Sequence, residues 1–210
     1  MHLYHFTQKK NINSILQHGI QVGLTPYQDL TDLKAVSLTS IADCNGHGLI
    51  KGDVLRQGTD PEYQIAAQHY PLGNRQLSDG QYEVTMFDQT EAMIEVELEP
   101  NSAKLLSHQQ LFDKLMTNHF MKGCSQDELN YWNAAVILSA EYPFGTEHIS
   151  KQQLDRERYE IINGKRKHNA GSWYFYLGTV TPQNITQVSL KQSNNKYQTS
   201  NARNAASLTH

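Results

Sequence analysis

The chain has 210 residues and a formal net charge of −3, enough length for one domain with a real core and no overall pull toward nucleic acid or an anionic membrane. Two cysteines, Cys44 and Cys124, do not make a disulfide framework; no window approaches the roughly 18–20 apolar residues of a membrane span; and the first residues lack a basic-then-apolar secretory pattern. A reduced, cytoplasmic protein is the expectation, and a mean hydropathy of −0.61 points to a small core carrying generous loops.

Residues 2–7 alternate, with Tyr4 and Phe6 on one side and Leu3, His5 and Thr7 on the other, which is the period of a strand. Ile12, Ile15 and Leu16 then follow helical spacing up to Gly19, a residue type that ends helices, and Thr7 is placed to cap the start. AVSLTS at 35–40 is predicted as a second strand. From Cys44 to Thr90 glycines and prolines such as Gly46, Gly48, Gly52, Pro61 and Gly80 break every period, and only 62–70 reads as a short helix. So long an irregular stretch is expected to be a variable loop insertion, of a size to act as a lid.

Ile94, Val96 and Leu98 opposed to Glu95, Glu97 and Glu99 make 92–99 the clearest strand, closed by Pro100. Residues 102–121 are predicted helical, with Leu105, Phe112, Leu115, Met116 and His119 near one face. Ser125 and Glu128 have the spacing of a capping box for a helix at 126–133, and AVILSA at 135–140 is predicted as a short buried strand. A charged helix over 150–162 leads into a basic turn, followed by SWYFYLGTV at 172–180 and ITQVSL at 185–190 as the last strands. Strands and helices interleave without regular β-α-β spacing, so the expectation is one α+β domain over residues 1–190. The polar tail, 191–210, has too few apolar residues to offset its own ordering entropy, so a second copy of the chain is expected to hold it, in a homodimer.

The chemistry-bearing residues are scattered. Cys44 and His47 form a C-x-x-H pair, but no second pair has zinc spacing, so no metal is expected. Glu95, Glu97 and Glu99 share one strand face, an arrangement that serves acid–base work only if their environments differ, and otherwise a solvated face. KRKH at 165–168 is a short basic turn, and no basic stripe with interleaved aromatics runs along the sequence, so charge does not indicate nucleic acid. Tyr174 and Tyr176 alternate with Trp173 and Phe175 and could stack on a planar ring. Dinucleotide-fold, P-loop, nucleophile-elbow and metalloprotease motifs do not occur.

LYHFT, then NINSILQHGI, then VSLTS resemble, over about 40 residues, the start of the ADP-ribosyltransferase fold in its His-containing branch. That branch includes poly(ADP-ribose) polymerases, RNA 2′-phosphotransferases and bacterial DNA-modifying toxins. More widely, LYHFT, VSLTS, AMIEVELEP and WYFYLGTV are similar to blocks of small proteins common on phage and mobile DNA. The resemblance implies a split, antiparallel-rich sheet with flanking helices and a pocket for NAD or another nucleotide. On that reading His5 holds the ribose, Phe6 and Thr7 flank the nicotinamide, Thr39 and Ser40 lie near the pocket floor, and Tyr174 stacks. A neutral imidazole suits the first role, because it can both donate to and accept from ribose hydroxyls. Leu38 stands where the family has a stacking tyrosine, and Trp173 stands where it has the transfer glutamate, which leaves Glu95, Glu97 and Glu141 as candidate acids. The expected function is therefore an NAD- or nucleotide-binding protein, with transferase chemistry of toxin type if it is an enzyme. The alternative is a non-enzymatic binding module or dimeric accessory protein of mobile DNA.

Overall fold

A computed structural model describes residues 1–27, 31–116 and 123–200, with the backbone alone at Ser200. The expected helical position of His119 and the tail from 201 to 210 lie outside the described residues. In chain order the elements are β1 (His2–Thr7), α1 (Ile12–His18), β2 (Gly23–Leu24), β3 (Lys34–Thr39), β4 (Val54–Arg56), α2 (Tyr63–His69), β5 (Asn74–Gln76) and β6 (Tyr82–Thr85). They continue with β7 (Ala92–Glu97), β8 (Leu105–Ser107), α3 (His108–Leu115), α4 (Gln126–Glu141), α5 (Lys151–Ile162), β9 (Trp173–Tyr176), β10 (Ile185–Lys191) and β11 (Tyr197–Ser200). The class is α+β. Every pairing among the described strands is antiparallel.

The large sheet runs β11-β10-β7-β1-β3-β9-β8, with β2 added beside β3. Residues directly opposite in a ladder share a face, so the registers sort the side chains. Leu3, His5 and Thr7 lie with Val96, Ile94 and Ala92 on one face. Leu38 and Tyr174, and Val36 and Tyr176, belong to that face as well. There α1 docks, and Ile12 and Ile15 join Leu3, Leu38, Ile94, Val96 and Val188 in one apolar cluster. Burying each isoleucine is worth roughly 1.5–3 kcal/mol, which fixes the helix. Gly19 ends it at φ +80, where its N–H bonds the Ile15 carbonyl, and a Cβ there would come within 2.3 Å of the Val180 oxygen.

The opposite face is covered by α3, α4 and α5, which pack Leu111, Phe112, Ala134, Val136, Ile137, Leu138 and Ile161 against Trp173 and Phe175. Here the structure corrects two expectations. AVILSA is not a strand but the last part of the 16-residue α4, whose Ser125–Glu128 capping box forms in full. A short apolar run reads alike in a buried helix and a buried strand, and this one continues a capped helix without a break. Likewise the helix expected from 102 starts at His108, because Ser107 and Gln110 form a second capping box and residues 105–107 pair with β9 as a strand. At the first helix, a short 3-10 turn at Lys9–Asn11 intervenes, and Thr7 accepts a bond from the Asn11 side chain (3.0 Å) in place of capping α1.

The glycine-rich stretch at 44–90 is also more ordered than a variable loop. It holds a second sheet, β4-β6-β5, and α2, with a separate core of Ile50, Leu55, Tyr63, Ala66, Val84 and Met86. Buried Glu83 is held by Arg75 and Arg56. The chain enters and leaves this block through a paired neck, where Gly52 N–H donates to the Phe87 carbonyl, Met86 N–H to Asp53 and Gln89 N–H to Ile50.

The tail is described as far as Ser200. Residues 197–200 pair with β10 as the edge strand, and Tyr197 Oη donates to the Thr90 carbonyl (2.7 Å). This part of the tail is ordered by its own sheet. Among the described residues no helix is long and apolar enough to cross a membrane.

Candidate functional site

Strand β1 pairs with β7 at all six residues but with β3 at Tyr4↔Thr39 alone. Beyond Tyr4 no further pair joins the two strands, which leaves the ladder open there. His5 bridges the gap in the ladder: Nδ1 lies 3.0 Å from the Ser37 oxygen. A carbonyl can only accept, so Nδ1 carries the proton and Nε2 keeps its lone pair. Burial pushes the His5 imidazole below its usual range, with the Ser37 carbonyl opposing. The ring is therefore neutral at pH 7, half-buried, and locked in one tautomer with an acceptor to spare.

Thr7 shares the His5 face and is buried. Tyr174 lies on that face too, opposite Leu38 and partly buried against the α1-side cluster. It stands two strands from His5, about 10 Å at ordinary strand spacing. The sheet thus brings His5, Thr7 and Tyr174 to one face.

The other sequence candidates lie elsewhere. Thr39 pairs with Trp173 on the α3–α5 face, where its hydroxyl donates to Ser172 Oγ (3.1 Å) and accepts from the Ile41 N–H. Ser40 is exposed past the strand end, its N–H bonded to the Ser172 carbonyl. Glu95 and Glu97 sit opposite Tyr4 and His2, on the face away from His5, and Glu95 meets His2 Nδ1 at 2.8 Å. Glu141 closes α4, and its Oε2 accepts from Arg166 Nη2 (2.9 Å). Burial pushes the Glu141 carboxyl up, and Arg166 pulls it back.

The α3–α5 face holds a row of rings that the sequence reading did not assemble. Tyr197 meets Phe6 at 5.8 Å between centroids, Phe6 meets His47 at 6.3 Å, and His47 meets Trp173 at 6.4 Å. Trp173 Nε1 donates to His47 Nδ1 (2.8 Å). Trp173 then meets His108 edge-on at 5.6 Å, and His108 is held by Asn133 (2.8 Å) and Tyr27 (3.1 Å). Burial lowers the pKa values of both His47 and His108, so this row is a neutral, packed network. The signal for it was Gly46-His47-Gly48. Both glycines have left-handed backbone, and a Cβ at Gly48 would come within 1.9 Å of the Ala140 carbonyl, so the loop presses His47 down onto the sheet. Among the described residues no three metal-ligating side chains cluster, and neither cysteine is in a disulfide.

Compared with protein-family models, curated proteins and solved structures, the chain finds no match in any of the three.

Proposed function

We propose that the chain binds a ribonucleotide, NAD being the first ligand to test, at the β1–β3 opening. One observation carries this reading: a neutral His5 is pinned by the Ser37 carbonyl and offers Nε2 on the face it shares with Thr7 and Tyr174. A ribose hydroxyl donating to Nε2 and an aromatic base or nicotinamide stacking on Tyr174 use the groups present. The resemblance of LYHFT and NINSILQHGI to the His-containing ADP-ribosyltransferases supports the same assignment. The proposal is of binding. Glu95 and Glu97 face away from His5 and Glu141 is ion-paired, so no carboxylate is assigned to a transfer step.

A ligand at 100 times its dissociation constant stabilises the native state by about 2.7 kcal/mol. In a chain of this size that raises the melting temperature by about 5–10 °C. Millimolar NAD should give such a shift in the native protein and none in His5→Ala, with an RNA 2′-phosphate mimic as the comparator. No shift with NAD, ADP-ribose or the mimic would overturn the reading. If binding serves a toxin, expression should arrest growth, and His5→Ala should relieve the arrest.

A further inference from the structure

The outer surfaces of α4 and α5 carry four large side chains, each 40% or more exposed: Tyr131, Trp132, Tyr159 and Ile162. Two of the rings are met by cations. The Arg158 guanidinium lies 4.8 Å from the Tyr131 centroid and donates to its hydroxyl (2.5 Å), and Lys165 Nζ lies 5.1 Å from the Tyr159 centroid. Trp132 adjoins Tyr131 at 6.2 Å. On α5, Ile162 is one turn on from Arg158 and Tyr159, so the patch is continuous from Trp132 to Lys165.

The charge around it is locally positive in an acidic chain. Residues 151–168 contain Lys151, Arg156, Arg158, Lys165, Arg166 and Lys167 against Asp155, Glu157 and Glu160. Asp155 pairs with Arg158, and Glu157 with Arg166. That leaves Lys151, Arg156, Lys165 and Lys167 opposed by Glu160. Asp127 and Glu128, one turn before the α4 rings, make the other end acidic.

We propose that this α4–α5 surface binds single-stranded nucleic acid, with bases stacking on Trp132 and Tyr159 and phosphates meeting Arg156, Lys165 and Lys167. Exposed ring faces alternating with cations are what a strand with unstacked bases requires. A duplex offers no base faces, and an apolar protein partner would bury those three cations without acids. The strand runs from the α4 rings toward the 163–167 turn, away from Asp127 and Glu128.

Fluorescence anisotropy with labelled 15-mers of oligothymidylate and oligouridylate tests this and separates DNA from RNA. Three phosphate contacts give a slope of about −2 in log–log salt dependence, so affinity should fall about twentyfold between 50 and 200 mM salt. Tyr159→Ala and Trp132→Ala, both exposed and checked by unchanged thermal melting, should each weaken binding about tenfold, and Lys165→Ala should flatten the salt slope. His5→Ala should leave oligonucleotide binding untouched, which separates this site from the proposed NAD site. Three outcomes would overturn the proposal: no binding of either oligonucleotide at 50 mM salt, ring variants that bind as tightly as the native chain, or tighter binding of a glutamate-rich peptide.

Discussion

Strand β1 has two edges, and they are built differently. Toward β7 every residue from His2 to Thr7 is paired, and the side chains between them, such as Leu3, Ile94 and Val96, are fully buried. Toward β3 the ladder holds only at Tyr4, and a side chain, His5, takes the place of the missing backbone donor for Ser37. Where the backbone satisfies itself, the side chains are free to be apolar and to pack. Where the ladder opens, the Ser37 carbonyl, on an exposed residue, is met by a polar side chain instead, and that group arrives with a second polar atom to offer. Structure and candidate chemistry are thus two sides of one backbone requirement.

The largest effect should come from breaking the closed edge. Ile94→Ala, opposite His5 and fully buried, should cost about 2–5 kcal/mol in denaturant unfolding. Opening the other edge further should cost less. His5→Phe removes the donor to the exposed Ser37 carbonyl, an expected loss of about 0.5–1.5 kcal/mol at pH 7. The pH dependence sharpens the point. Folding lowers the His5 pKa, so below the unfolded value the unfolded chain binds more protons, and the native protein loses this contribution as pH falls through 6.5 toward the folded value. The gap between the native protein and His5→Phe should therefore narrow from pH 7 to pH 5; a constant gap would show that His5 does not titrate on unfolding. Of similar size, Tyr197→Phe removes the bond from the sheet margin to Thr90, about 1 kcal/mol. Glu95→Gln alters only the half-exposed His2 contact and should register roughly 0.2–1 kcal/mol.

The closed edge was legible in the sequence and the open one only half so. Alternation in LYHFT and AMIEVELE, and Ile12, Ile15 and Gly19 in α1, reflect strict burial on one face, which a period records directly. A period does not record register. Nothing in VSLTS says that Thr39 turns toward Ser172 while His5 reaches Ser37, so the sequence does not show that the sheet puts Thr39 on the face away from His5. The same gap hid the aromatic and basic surface. Tyr131 and Trp132 are 26 to 34 residues from Arg158 and Lys165 along the chain, and only the packing of α4 on α5 sets them side by side. AVILSA misled for another cause: a helix buried on most sides loses its polar stripe, and with it the period that tells helix from strand.

The paired neck of the 54–85 block sets its entry and exit next to each other, with Gly52 bonded to Phe87. No strand of the large sheet passes through that block. It is therefore a cassette in the literal sense. A short turn joining Gly52 to Phe87 would excise it while leaving β3 and β7 in register, and another folded unit with adjacent termini could be spliced in its place. The cost falls on Phe144, which packs against the cassette's core, and on His148, whose ring lies 3.6 Å from Glu62. A chain shortened in this way would also uncover Ile50 and Phe87, which belong to the same cluster, and these four are the positions to make polar in any such graft.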